Sequence, residues 1–210
     1  MSDVTAPKET DVRERILITA ERLFREVGYQ KTTVADIARA LRMSPANVYR
    51  FFDSKKSINL GVARRLMGQV EAESQAIAHA PGSAAKRLRD LLTSIHRMNS
   101  ARYVGDAKMH EMVAVAMEEN WDVCRPHMEC ITGIIAKVIT DGIVAGEFQV
   151  SDASLAAACT CTAMISFFHP QLIAESAGMP GPSLDQMIDF VIRALQAQHP
   201  GSPARKITDC

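Results

Sequence analysis

No apolar run in the 210 residues approaches the roughly 20 needed to cross a bilayer, and the N-terminus lacks the core of a signal peptide. A soluble, cytoplasmic chain is expected. The cysteines (Cys124, Cys130, Cys159, Cys161 and Cys210) are odd in number and mostly lie inside apolar helical patterns. That argues against a disulfide framework and for reduced thiols. Cys159 and Cys161 are two apart, so on a helix they face different ways and are poorly placed to share a metal. There is no phosphate-cradling glycine-rich loop and no nucleophile elbow. His110-Glu111 opens like a zinc-protease HExxH helix, but Ala114 stands where the second histidine must be. Without a catalytic motif, the chain is not expected to be an enzyme. Nothing reads as a convincing strand, and there is no internal repeat.

What is present is helical periodicity. The fold class expected is all-α: an N-terminal three-helix head over residues 10–60 and a C-terminal helical-bundle body over 61–198, with flexible tails at 1–9 and 199–210. The first helix starts near Asp11 and carries Ile16, Leu17, Ala20, Leu23, Phe24 and Val27 at helical spacing, with Gly28 as its C-terminal cap. A longer helix begins near Ser54, and the stretch from Ala78 to Ala85 is the natural joint before the body. Body helices are expected around Leu88–Met98, 104–119, 123–145, 154–174 and 184–197, with Pro126 in the first turn of the third.

Lys+Arg and Asp+Glu number 24 each, yet the charge is unevenly placed. Residues 13–56 carry ten Lys/Arg against five Asp/Glu, whereas 61–210 carry thirteen against sixteen. A basic head on a mildly acidic body suggests that one end meets a polyanion.

The stretch Thr33 to Phe52, TVADIARALRMSPANVYRFF, decides the class. A helix-turn-helix needs small and apolar residues at set offsets, because two short helices cross closely around a tight turn. Ile37 and Leu41 supply the inward face of the first helix, and Ala38 sits where the helices approach most closely. Met43, Val48 and Phe51 supply the apolar contacts of the turn and second helix. Thr33 can cap the first helix with Asp36 three residues on, and Ser44 can cap the second with Pro45 at its first position. Arg42 occupies the turn site where glycine is commonest, since the backbone there tends to be left-handed.

These residues resemble the TetR/AcrR family of bacterial repressors over about residues 10–60. The resemblance rests on Phe24-Arg25-Glu26-Val27-Gly28-Tyr29, Thr33-Val34-Ala35-Asp36-Ile37-Ala38, Asn47-Val48-Tyr49-Arg50-Phe51-Phe52 and Ser54-Lys55. It implies that the second helix enters the major groove, with Pro45, Ala46 and Asn47 at the end that reaches base edges. Tyr49, Lys55 and Thr33 match the family's phosphate contacts, and Arg42, Ser44 and Arg50 complete the candidate DNA-binding set. It further implies a homodimer that binds a pseudo-palindromic operator and is released by a small-molecule effector in the body.

In the body, Met109, Met112, Met128, Ile131, Met164 and Phe168 are candidates to line the effector pocket, Met being adaptable to irregular apolar ligands. Most residues of this kind must simply form the core. The segment Leu155–Phe168 is small or apolar all round, which suits a helix covered on two sides. With Leu184, Met187, Ile188, Val191 and Leu195, it is expected to build a four-helix interface with a second copy. His110, His127 and His169 are expected to converge in the body, either around a divalent metal or as pocket-lining side chains. No cofactor is needed for DNA binding itself.

Overall fold

The apolar spacing of the N-terminal region closes into helix α1 (Glu9–Glu26), which buries Val12, Ile16, Leu17, Ala20 and Phe24 along one face. The computed structural model describes residues 9–103, 108, 112, 121–176 and 178–197. All the regular structure among them is α-helix. Gly28, at φ 105°, ends α1 by donating its N–H to the carbonyl of Phe24 at 3.0 Å. Glu9, expected in a tail, is the first residue of this helix.

Helix α2 (Val34–Ala40) is capped as its sequence suggests: Thr33 Oγ1 accepts from the Asp36 N–H, and the Asp36 carboxylate accepts from the Thr33 N–H. It ends in two turn bonds, Arg42 N–H to Arg39 O and Met43 N–H to Ala38 O. This closure demands a left-handed residue, and Arg42 supplies it at φ 57°, alone among the described non-glycine residues. Helix α3 (Pro45–Tyr49) begins behind Ser44, whose Oγ accepts from the Asn47 N–H.

Helix α4 (Lys55–Ala78) belongs to two cores. Ile58, Val62 and Leu66 pack with the buried faces of α1, α2 and α3, whereas Val70 and Ala78 pack into the body. The boundary expected after residue 60 therefore falls inside one continuous helix.

The body is built on α5 (Ala84–Tyr103), α6 (Trp121–Val144), α7 (Ala153–Ala163), α8 (Ile165–Phe168), α9 (Pro170–Glu175) and α10 (Leu184–Gln196). Helices α4, α5 and α6 pack on one another, α7 packs on α6, and α10 lies against α5 and α7. Leu88, Leu91, Leu92, Ile135, Val138 and Ile139 form the centre of this core. Gly142 lets Phe148 fold back onto α6, because a Cβ there would stand 2.2 Å from the Phe148 ring. The helix expected over 104–119 falls outside the described residues except for Lys108 and Met112.

Two further details differ from the expectations. Helix α6 starts earlier than expected, so Pro126 lies inside it rather than in its first turn. The helix expected over 154–174 is three pieces, interrupted at Met164 and at His169, and the second break follows from Pro170, which disfavours a helical conformation at the residue before it. His169 accordingly adopts an extended ψ of 122°. The chain ends left open at this break are satisfied from α5: Asn99 Nδ2 donates to Phe168 O at 2.8 Å, and His96 Nδ1 lies 2.9 Å from Phe167 O.

Candidate nucleic-acid interface

The candidate contact residues lie along the turn between α2 and α3 and on α3 itself. Arg42, Ser44, Pro45, Ala46, Tyr49 and Arg50 are all exposed there, while Val48 is completely buried and anchors α3 from behind. Tyr49 keeps half of its surface exposed despite its size, which suits a partner that covers it.

Three of the expected contact residues are engaged within the protein: Thr33 with the Asp36 that its capping position signalled, and Asn47 and Lys55 with partners that the sequence did not signal. The Thr33 hydroxyl donates to Asp36 Oδ2 at 2.6 Å, in addition to accepting from the Asp36 N–H. That hydrogen bond holds the Asp36 carboxyl below the usual carboxylate range, with the Thr33 N–H and Arg39 acting in the same direction. Asn47 is half-buried, with Nδ2 4.0 Å from Met43 Sδ and Oδ1 accepting from Arg50 Nη1 at 3.5 Å. The Lys55 ammonium donates to the carbonyls of Tyr29 and Gln30 at 3.0 and 3.2 Å.

Sequence reasoning also missed the groups that hold the recognition helix from behind. Arg13 on α1 donates to Phe51 O at 2.8 Å, and its guanidinium lies 4.2 Å from the centre of the Phe52 ring. Arg65 on α4 bonds Glu14 and Glu21 on α1, each at 2.6 Å. These partners are far apart in sequence, so no local motif could have signalled them.

The structure divides the candidate pocket residues. Ile131 and Met164 are buried in the body core, and Phe168 packs against it. Met112 is fully buried in the other core, beside residues of α1 and α4, and its carbonyl accepts from Asn59 Nδ2 at 3.1 Å. Met128 points outward, lining an open groove of about 460 Å³ with Arg125, Glu129 and Thr132. A helical period cannot tell a core facing one way from a neighbouring core, and this accounts for the divergence of Met112. Met109 and His110 lie outside the described residues.

The two described histidines of the expected cluster have different surroundings. His127 Nδ1 is 2.7 Å from Glu71 Oε1 on α4. His169 Nδ1 is buried with no hydrogen-bond partner among the described residues, and burial favours its neutral form, with Glu175 opposing. Among the described residues no three His, Cys, Asp or Glu side chains are grouped to hold a metal ion.

A capped helix-turn-helix on a basic head, carried by a helical body, defines a DNA-binding transcriptional regulator rather than an enzyme. Residues 16–62 match the model of bacterial regulatory proteins of the tetR family, and residues 84–180 that of the tetracyclin repressor-like C-terminal domain. The chain belongs to the TetR family of transcriptional regulators. It is 45% identical over 47 residues to IcaR of Staphylococcus aureus, a negative transcriptional regulator of a biofilm operon. That match takes in 22% of this chain and spans about a quarter of the length of the relative. A TetR/AcrR-family regulator of Thermobifida fusca shares the fold at a TM-score of 0.58 and 24% identity, over 89% of this chain and 97% of that one. FadR of Bacillus halodurans, a fatty acid degradation regulator, does so at 0.62 and 16%, over 91% and 96%.

Proposed function

We propose that the protein represses transcription by binding a pseudo-palindromic operator as a homodimer, and that a small molecule seated in the body releases it. The observation that carries this reading is the outward face of the head. Pro45, Ala46, Tyr49 and Arg50 are exposed on a capped two-helix unit within the stretch of excess positive charge. Thr33, Arg42, Ser44, Asn47 and Lys55 border the same surface. Repression follows the description of IcaR, and action on DNA fits a cytoplasmic location. Among the described residues no helix is long and apolar enough to cross a membrane.

The dimer reading is supported by large apolar side chains left outside the core. On α7 and α8, Leu155 and Ile165 are 62% and 41% exposed, with Ala158, Cys159 and Thr162 on the same face. On α10, Ile188, Val191 and Leu195, expected to meet the second copy, pack into their own body instead. Phe190, 65% exposed, takes their place as the α10 contact. An amphipathic stripe is covered first by its own chain, which leaves the opposite face for a partner.

For the effector, the core around Ile131, Met164 and Phe168 offers apolar walls, and His169 Nδ1 a buried polar atom. The alternative role for His110, His127 and His169, a divalent metal site, is decided by elemental analysis of untagged protein.

The test of operator binding is a gel shift against the DNA beside its own gene. Affinity should fall steeply with salt, and Tyr49→Phe should weaken it on every sequence bound. Ala158→Asp should yield monomers by light scattering and abolish tight binding. A wild type that ignores this DNA at low salt would sink the operator reading, and an Ala158→Asp protein that stays dimeric would place the interface elsewhere.

A further inference from the structure

Lys55 is the first residue of α4, where a positive charge opposes the helix dipole. Its side chain does not remain at the helix end. It crosses to the loop between α1 and α2, where the ammonium donates to the carbonyls of Tyr29 at 3.0 Å and Gln30 at 3.2 Å. The same ammonium stands 4.4 Å from the centre of the Tyr29 ring. That ring is buried, edge-on to Phe24 of α1 at 5.2 Å. A single cation thus closes a chain from the core of α1, through the loop, to the start of α4.

The loop is also held from within, since the Thr32 N–H donates to the Tyr29 carbonyl at 3.3 Å. Behind it, Thr32 is buried, its Oγ1 and N–H both donating to Gly28 O at 2.8 and 3.2 Å. In front of it stands Thr33, the cap of α2, whose side chain and N–H are committed to Asp36. With the two carbonyls held by Lys55, the position of Thr33 and of the α2 N-terminus is set relative to α4.

We propose that Lys55 serves DNA binding as a positioning residue, fixing the Tyr29–Gln30 loop and through it the N-terminal end of α2, rather than as a cation that neutralises a phosphate. This rests on the operator reading above. The two roles differ in one measurable respect. A cation that neutralises a phosphate releases counterions, so its removal lowers the slope of log affinity against log salt by about 0.9. A positioning cation that never leaves the loop contributes no such release. The contacts it supports, from a neutral hydroxyl and backbone N–H groups, are not cationic either.

The experiment compares wild type, Lys55→Met and Lys55→Arg on the duplex beside its own gene, by fluorescence anisotropy across a salt series. It is paired with amide hydrogen exchange of residues 28–36 in the free protein. Lys55→Met should bind roughly tenfold more weakly, the loss of about one charge-assisted hydrogen bond, with the wild-type salt slope and faster exchange in the loop. Lys55→Arg, whose guanidinium can reach both carbonyls and stack on Tyr29, should recover most of the affinity and protection. A slope lowered by about 0.9 with unchanged exchange would make Lys55 a phosphate contact and overturn the proposal. Unchanged affinity in Lys55→Met, whatever the exchange, would reduce the latch to a structural role and overturn it too. A wild type that does not bind would overturn both this proposal and the operator reading, whereas the preceding outcomes leave the latter standing.

Discussion

At Arg42 the backbone and the side chain make opposing demands. The turn bonds that close α2 need a left-handed residue, and an arginine there is strained by on the order of 1 kcal/mol, which glycine avoids. The exposed guanidinium, in return, adds charge where the head faces a polyanion. Arg42→Gly is therefore expected to raise stability by up to about 1 kcal/mol, less whatever the freer unfolded chain takes back. It should also lower the salt slope of DNA binding by about 0.9 if the guanidinium meets a phosphate. Chemical denaturation and a salt series on one preparation check both. A destabilised glycine variant would contradict the strain argument. The sequence motif was enough to locate this residue, because the offsets of a helix-turn-helix determine which position turns left-handed. It paired Thr33 with Asp36 but did not reveal the partners of the Asn47 side chain, since those contacts depend on rotamers.

Among the elements, the joint between α4 and α5 shows how distant carboxylates complete a helix start. The Glu147 carboxylate accepts from the Ala84 and Ala85 N–H groups at 2.9 and 3.0 Å, a cap supplied from beyond α6. Beside it, Arg87 donates to Ala78 O, the end of α4, and to Asp141 on α6 at 2.9 Å. That bond holds the Asp141 carboxyl below the usual range, with Lys137 aiding it. Glu147→Ala should cost roughly 2 kcal/mol, since it leaves two partly buried donors without their charged acceptor. Glu147→Gln, which can still accept one bond, should cost less. Urea denaturation distinguishes them, and equal losses would mean that packing rather than capping is the source. The sequence placed a boundary here from Pro81 and Gly82, but it could not show a cap arriving from 62 residues away.

The whole molecule is held together by α4, which runs from one core into the other, and by Met112. Its side chain is buried in the head core, and its carbonyl accepts from Asn59, itself buried. Lys108, four residues earlier, donates to Glu26 O at the end of α1. Asn59 Oδ1 has no hydrogen-bond partner among the described residues, so the amide both satisfies one buried group and leaves another unsatisfied. These effects nearly cancel in Asn59→Leu, which takes the Asn59 donor from the Met112 carbonyl but also removes the unpartnered oxygen. Its stability should stay within about 1 kcal/mol of wild type. Asn59→Ala adds a cavity to the loss of that donor and should lose roughly 2–4 kcal/mol. Thermal unfolding of the two variants side by side checks the difference. A leucine variant as unstable as the alanine one would show that the hydrogen bond outweighs the unpartnered oxygen.

Local chemistry determined much of this protein without help from the fold. The period of apolar residues, the caps at Thr33 and Ser44, Pro45 at a helix start and the left-handed turn at Arg42 are all decided within a few residues. They sufficed for an all-α chain with a helix-turn-helix head. The break at His169 was written there too, in the proline that follows it. Which core receives Met112, which face of α10 its own body covers, and where the ammonium of Lys55 goes were decided only by the tertiary structure. Each depends on which surfaces meet across tens of residues, and a helical period states only that a face is apolar, not what covers it.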